Sequence, residues 1–491
     1  MVTYKLENRI WAIFIFLWVS AVTSAQNNLS SWPDIPLLEI TTDGGVEPTV
    51  TRLETPEGCM GSGIISEHVP GRHVITLKGG EILYDSGDYE KGKSGIRIKV
   101  RGNSTGAFLE QKPYKVKLSK KADLIGFDKS LKSKDWALIS ISVWNPTLRY
   151  HESNIQHAVG LALCHILDFP WEPRNRFVNV VLNGKYRGLY NLSETVERAD
   201  NRVKTSAYGF LIENDAYWWK EGEVWFKTDR QHPGMGYTFK YPDPDDITDE
   251  QKDAVASYMQ DVENAIFSQD HIGDYIDYES FARWILAHDI LGSYDAAGSN
   301  TYLYKESLDP VDHSASKLKM ATLWDFDTCF RMDDSQWSME HTHSVFFYPQ
   351  LFKDGEFVDE YKRLYVRYKD LVYPSMKKFL EDLRVSEGSA FEESRRLHQQ
   401  VYDSEMKNSL DEQIDDILTH LKARLEALDD MVGKLQGTET GITTDRVEAV
   451  KLIMRTDLYG RDFTQVPSSD LLPNIYVEKY SDGSVRKLVA K

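Results

Sequence analysis

The chain has 491 residues, 41% of them hydrophobic, and a formal net charge of −18 at neutral pH. That length and apolar fraction allow one large folded body with appendages, so the chain reads as globular. The acidic balance is spread along the sequence rather than gathered in runs, which argues against nucleic acid as the main ligand.

At the N-terminus, Lys5 and Arg9, an apolar run over 10–19 and Thr23-Ser24-Ala25 supply the charged, apolar and small-residue parts of a secretory signal peptide. Cleavage is expected after Ala25, leaving an exported chain that is periplasmic, cell-surface or secreted. The run is shorter than the roughly 20 residues a membrane helix needs, and no second candidate follows, so no integral span is expected in the mature chain. Cys59, Cys164 and Cys329 show no metal-ligand spacing and receive no chemical role.

Residues 26–95 read as a β-rich lead-in, with strands expected at 36–40 and 73–77. A larger domain is expected over 96–436. In it Ile96-Arg97-Ile98-Lys99-Val100 and Tyr114-Lys115-Val116-Lys117-Leu118 alternate with period two, apolar on one face and basic on the other. Apolar residues then recur at helical spacing from Leu148 to Leu167, and Asn183-Gly184 marks a hairpin between strands at 177–182 and 186–192. The order strand, strand, helix, strand, strand is shared by the nucleotide-binding lobe of kinase-like folds and by many other α+β domains. From Thr248 the chain turns helical, with Asp277 as a cap, and a short β element at 301–305 and 318–324 interrupts the helices. A long amphipathic helix runs from Ile414 to Val432, and residues 437–491 read as a small β module.

Two turns carry the acidic chemistry. Asp295 lies five residues before Asn300, a short hairpin follows, and the hairpin runs into Asp325-Phe326-Asp327. Kinase catalytic loops use this order: an acceptor-orienting Asp, a metal-binding Asn, then a second metal-binding Asp. Such chemistry needs little covalent help but requires neutralised phosphate charge, and Mg²⁺ prefers a few hard oxygen ligands. On that reading Asp325 holds the metal with Asp327 and Asn300 assisting, and Asp295 orients or deprotonates the acceptor hydroxyl. A helix-ending turn for Asp295 and Asn300, and a helix N-cap for Asp325, remain the bland alternatives. Lys117, with Lys115 beside it on the same strand face, is the first choice for a phosphate-binding lysine. Arg101-Gly102-Asn103-Ser104-Thr105-Gly106 offers a Gly-rich turn for phosphates or a tight hairpin connection, and Glu194 ends a strand where it can pair with a cleft lysine.

These residues resemble the CotH kinases, named for the spore coat protein CotH, over roughly 37–432. The matching blocks are Arg101-Gly102-Asn103-Ser104, Lys112-Pro113-Tyr114-Lys115-Val116-Lys117-Leu118, Lys134-Asp135-Trp136-Ala137-Leu138, Pro146-Thr147-Leu148-Arg149, Asn183-Gly184-Lys185-Tyr186-Arg187-Gly188-Leu189-Tyr190, Thr301-Tyr302-Leu303-Tyr304-Lys305 and Trp324-Asp325-Phe326-Asp327. The resemblance implies a divergent kinase-like two-lobed α+β fold, with a β-rich N-terminal lobe and a mostly helical C-terminal lobe. It also implies ATP and Mg²⁺ (or Mn²⁺) as cofactors, Ser or Thr of a secreted or surface protein as acceptor, and the two family acids at Asp295 and Asp325. The sequence departs from the family at Tyr150-His151, at Met320-Ala321-Thr322 and in a longer loop over 306–316. The tail resembles Bacteroidetes-type secretion sorting domains through Asp457-Leu458-Tyr459-Gly460-Arg461 and 475–491, which implies secretion machinery as a partner. The rival reading is a catalytically silent adhesion protein using Trp218, Trp219 and Trp225 as exposed aromatics.

Overall fold

The computed structural model describes residues 34–61, 63–141, 154–220, 224–231, 234–293, 299–308, 316–330, 343, 345–402, 408–438, 452–457, 474–480 and 485–490. The signal-peptide segment and Asp295 lie outside the described residues. The architecture is mixed α+β, β-rich first and helical later.

Ten strands open the fold: β1 (Leu37–Thr42), β2 (Thr51–Arg52), β3 (Ile64–Ile65), β4 (Val69–Thr76), β5 (Ile82–Asp85), β6 (Ile96–Val100), β7 (Tyr114–Ala122), β8 (Ser133–Ser140), β9 (Asn175–Leu182) and β10 (Lys185–Glu194). Seven of them close a barrel in the order β1-β9-β10-β8-β7-β6-β4, with β4 pairing back onto β1 and β5 running beside β4. Period-two alternation makes this possible, because one face of each strand can fill the interior. Ile96, Ile98, Val116, Leu118, Trp136, Leu138, Val178 and Val180 all belong to that inner cluster. Closure leaves the ring without the unpaired edges of an open sheet. β1 and β4, from the stretch read as a β-rich lead-in over 26–95, are staves of the barrel. At the β9–β10 hairpin, Asn183 and Gly184 take the left-handed φ values of 50° and 73° that a two-residue turn requires.

A second sheet follows, built of β11 (Phe210–Asp215), β12 (Trp225–Phe226), β13 (Gly236–Tyr241), β14 (Thr301–Lys305) and β15 (Lys319–Met320) in the order β12-β13-β11-β14-β15. The strand expected over 318–324 forms only as β15 at Lys319–Met320, with a bridge from Leu318 to Ile276 before it. Beyond it the chain runs buried but irregular into Asp325. Helices pack around this sheet. Thr248 caps Asp249–Ser268 in a reciprocal box with Gln251, Asp277 accepts the Ser280 amide at 2.9 Å to start Tyr278–Leu291, and Ser409 boxes with Glu412 to start Leu410–Lys434. The last helix lays Ile414, Leu421, Leu428 and Val432 into the core beside a 47-residue helix, Gly355–Val401, that the sequence reading did not foresee. Among the described residues no helix is long and apolar enough to cross a membrane.

The chain divides into two compact units, the first ending at Gly437 and the second beginning at Thr438. In the second unit β16 (Leu452–Asp457), β17 (Asn474–Tyr480) and β18 (Val485–Ala490) form an antiparallel sheet in sequence order.

Candidate functional site

A cavity of about 540 Å³ lies where the outer face of the barrel meets the second sheet. Its barrel wall comes from the end of β6, the start of β7 and the end of β8, and includes Lys99, Arg101, Ser104 and Lys115. After β6 the chain turns at Gly102, whose φ of +75° suits glycine and where a Cβ would sit 2.3 Å from Thr105 Oγ1. A one-turn helix, Ser104–Phe108, follows before β7. Arg101 points at the acidic side of the cavity, its guanidinium 5.5 Å from the centre of the Trp324 ring. Burial pushes its pKa down, and Asp325 is the foremost charge opposing that shift.

The acidic side is built from two left-handed residues. Asn300 has φ 58° and Asp325 has φ 67°, a region that side-chain-bearing residues seldom occupy but that Asn and Asp tolerate best. Asn300 Nδ2 donates to Asp325 Oδ2 at 2.9 Å and to Ser299 Oγ at 3.0 Å. Those hydrogen bonds leave the amide oxygen of Asn300 as an acceptor beside the carboxylate. Asp325 and Asp327 are half-buried, whereas Phe326 between them is buried at 2% exposure. Phe326 anchors the segment between two acids that both line the cavity.

Its seat is Gly160, in the helix Gln156–Ile166, where an added Cβ would stand 2.2 Å from the Phe326 ring. The His157 ring meets Trp324 and Phe326 edge-on, at 5.4 and 5.5 Å between centroids, and its Nε2 lies 2.9 Å from Ser193 Oγ. Burial, and then Arg101, push His157 down to about 3, so the ring is neutral and serves to hold the aromatics rather than to take protons near pH 7. Gly160→Ala is expected to destabilise the fold by about 1–3 kcal/mol through overpacking. It should also lower any activity that needs the Asp325–Asp327 pair. Chemical denaturation beside an activity assay reads both, and a wild-type midpoint would contradict the close approach.

Arg101, Ser104, Lys115, Asn300, Asp325 and Asp327 thus line one cavity. Asp295 lies outside the described residues. Lys117, the first choice for a phosphate lysine, is not among the lining residues: it pairs with Arg97 and Asp135, one step along β7 from Lys115, which pairs with Lys99 and Ala137. Glu194 is also elsewhere. At 1% exposure it accepts from Arg174 Nη2 at 2.8 Å and from the Arg174 amide at 2.9 Å, with Arg202 Nε 3.8 Å away.

The sequence reading missed Glu213 and Asp215 on β11 and Lys240 on β13, all of which line the same cavity. Glu213 pairs with Lys240 at 3.0 Å, and Asp215 accepts the Tyr217 amide at 2.7 Å. Burial, helped by Glu213, raises Asp215 to about 6. The signal was available: Phe210-Leu211-Ile212-Glu213-Asn214-Asp215 carries acids at the end of an apolar strand, as Trp324-Asp325-Phe326-Asp327 does.

The donor set suits a hard divalent cation, because Asp325, Asp327 and Asn300 present oxygens. Among the described residues no group of three or more His, Cys, Asp or Glu is arranged as a metal cage. A cation resting on these oxygens would complete its shell with water and ligand phosphates. Asn103 Oδ1, buried at the cavity wall without a hydrogen-bond partner, is a further acceptor there.

No curated protein matches the chain. The family model described as CotH kinase protein matches residues 98–440, a stretch running from the middle of β6 past the last long helix and taking in the whole acidic side of the cavity. Because that match covers well over half of the sequence, the chain belongs to the CotH kinase family.

Proposed function

We propose that this protein is an exported atypical protein kinase with a divergent two-lobed architecture. It moves the γ-phosphoryl group of ATP, bound with Mg²⁺ or Mn²⁺, onto a Ser or Thr hydroxyl of a secreted or surface protein. The observation that carries the reading is the 2.9 Å Asn300–Asp325 hydrogen bond inside a cavity whose barrel wall bears Lys99, Arg101 and Lys115. A divalent ion held by Asp325, Asp327 and the Asn300 amide oxygen would supply the charge neutralisation that phosphoryl transfer needs.

The chain's own groups do the rest. Lys115 and Arg101 bind the phosphates as fixed cations. Asp295, by the spacing of its loop, takes the acceptor's proton as the hydroxyl oxygen bonds to phosphorus. The bond from the γ-phosphorus to its bridging oxygen breaks, and ADP departs with both electrons. The C-terminal unit is the part that secretion machinery would engage.

Purified chain incubated with labelled ATP and Mg²⁺ or Mn²⁺ should label itself or an added acceptor protein. Absence of both labelling and a nucleotide-dependent thermal shift would overturn the reading. Within it, Lys115→Met should raise the KM for ATP by about tenfold, the scale of one charge-assisted contact. The effect of Lys117→Met should be smaller, and equal effects would remove the assignment of Lys115.

A further inference from the structure

The strand register sets like charges against each other on the outside of the barrel. Arg97 on β6 stands directly opposite Lys117 on β7, and Lys99 stands directly opposite Lys115. Like charges facing across an antiparallel pair destabilise it, and two such pairs in succession are a standing cost in a chain of net charge −18. The cations cannot turn inward, because the alternate positions Ile96, Ile98, Val116 and Leu118 fill the barrel. Asp135 on β8 faces Lys117 and pairs with Lys115 at 3.1 Å, which offsets part of that cost. The four positive charges also share one neighbour, His68, whose pKa falls to about 4 first through burial and then through all four of them.

The strip is continuous with the cavity. Lys99 and Lys115 line it, whereas Arg97 and Lys117 stand one row further out, roughly 6.6–6.8 Å along the strands. Lys120 and Lys121 continue β7 as exposed residues. The inner row meets the phosphates of a nucleotide in the proposed reaction. The outer row lies beyond the cavity lining and is placed for something that leaves the cavity along β6 and β7. An extended peptide repeats its side-chain direction every two residues, the same step that separates the two rows.

We propose that Arg97 and Lys117 form a docking strip for the acceptor, and that the acceptor carries Asp or Glu at alternate positions on one side of its phosphorylated Ser or Thr. This inference deepens the kinase reading and rests on it for the identity of the occupant. Charge complementarity is what commits the strip to an acidic peptide: Arg97 is exposed, Lys117 is half-buried beside it, and the long cations of this outer row favour carboxylates displayed on one face.

The test uses the full chain and two fluorescently labelled peptides around one central Ser, with Glu or with Gln at alternate flanking positions. Fluorescence anisotropy without nucleotide should show the Glu peptide binding at least roughly fivefold more tightly, with the difference shrinking as salt is raised. Arg97→Glu, a change at an exposed position, should abolish the preference, and Arg97→Gln should reduce it. With ATP and Mg²⁺ present, the same preference should appear in the KM for peptide phosphorylation. Equal binding of the two peptides, or a preference that survives Arg97→Glu, would overturn the strip. So would inorganic tripolyphosphate displacing the Glu peptide as effectively as unlabelled Glu peptide does. If the anisotropy preference holds but the chain labels neither itself nor an acceptor and shows no nucleotide-dependent thermal shift, the docking strip stands and the kinase reading falls.

Discussion

Asp325→Asn is expected to cut phosphate transfer from ATP by about 10²–10³-fold, the loss typical of removing one preorganised electrostatic group from a reaction centre. The substitution isolates charge from shape. Asn tolerates the left-handed φ of 67° found at this position, and its side-chain oxygen can still accept from Asn300 Nδ2, which now lies 2.9 Å from Asp325 Oδ2. What disappears is the negative charge facing Arg101 and any cation bound there. Single-turnover labelling at saturating Mg²⁺ measures the effect, and Mn²⁺ should restore little of it. Activity within about fivefold of wild type would show that the charge at this position is not part of the chemistry.

Glu194→Ala is expected to destabilise the first unit by about 2–4 kcal/mol, somewhat less than the loss from an uncompensated buried charge, because both arginines keep a second carboxylate. The network is extensive. Arg174 reaches Glu194 at 2.8 Å and Asp123 at 3.0 Å through both of its terminal nitrogens, and Arg202 pairs with Glu197 at 2.6 Å. Burial alone would raise Asp123, but the hydrogen bonds from Arg174 and from the Ile125 and Asp128 amides hold it below the usual carboxylate range. Removing Glu194 takes one of two carboxylate partners from Arg174 and the 3.8 Å neighbour from Arg202 Nε, whose side chain is fully buried. Denaturation by urea reads the loss, and Glu194→Gln should cost less because it keeps an acceptor for Arg174. A variant of wild-type stability with weakened nucleotide binding would return Glu194 to the cleft.

What could be read from the sequence was what is local. The β6 and β7 alternation, the Asn183-Gly184 hairpin, the helical turn of the chain from Thr248 and the cap at Asp277 are written within a few residues, and each appears in the structure. Distant pairings were not legible. Nothing near Leu37 says that it will lie beside Asn179 in one direction and Thr76 in the other, so the barrel could not be anticipated. The same limit explains the lysines: alternation puts Lys115 and Lys117 on one face, but where along β7 the cavity begins depends on the second sheet, whose strands come about a hundred residues later. Glu194 looked available because its partners Arg174 and Arg202 carry no mark of the pairing in the sequence. The 47-residue helix carries Pro374 inside it, a residue that ordinarily argues for a break.

The ring joins its earliest stave to one of its latest, since β1 is hydrogen-bonded in parallel to β9, some 140 residues downstream. A chain emerging N-terminus first therefore has β1, β4, β6, β7 and β8 in hand well before the strand that completes them, and must keep two raw margins apart until then. Shortening the protein at or before β9 should leave a sticky, half-built sheet rather than a smaller domain, so useful truncations are to be sought only beyond Glu194.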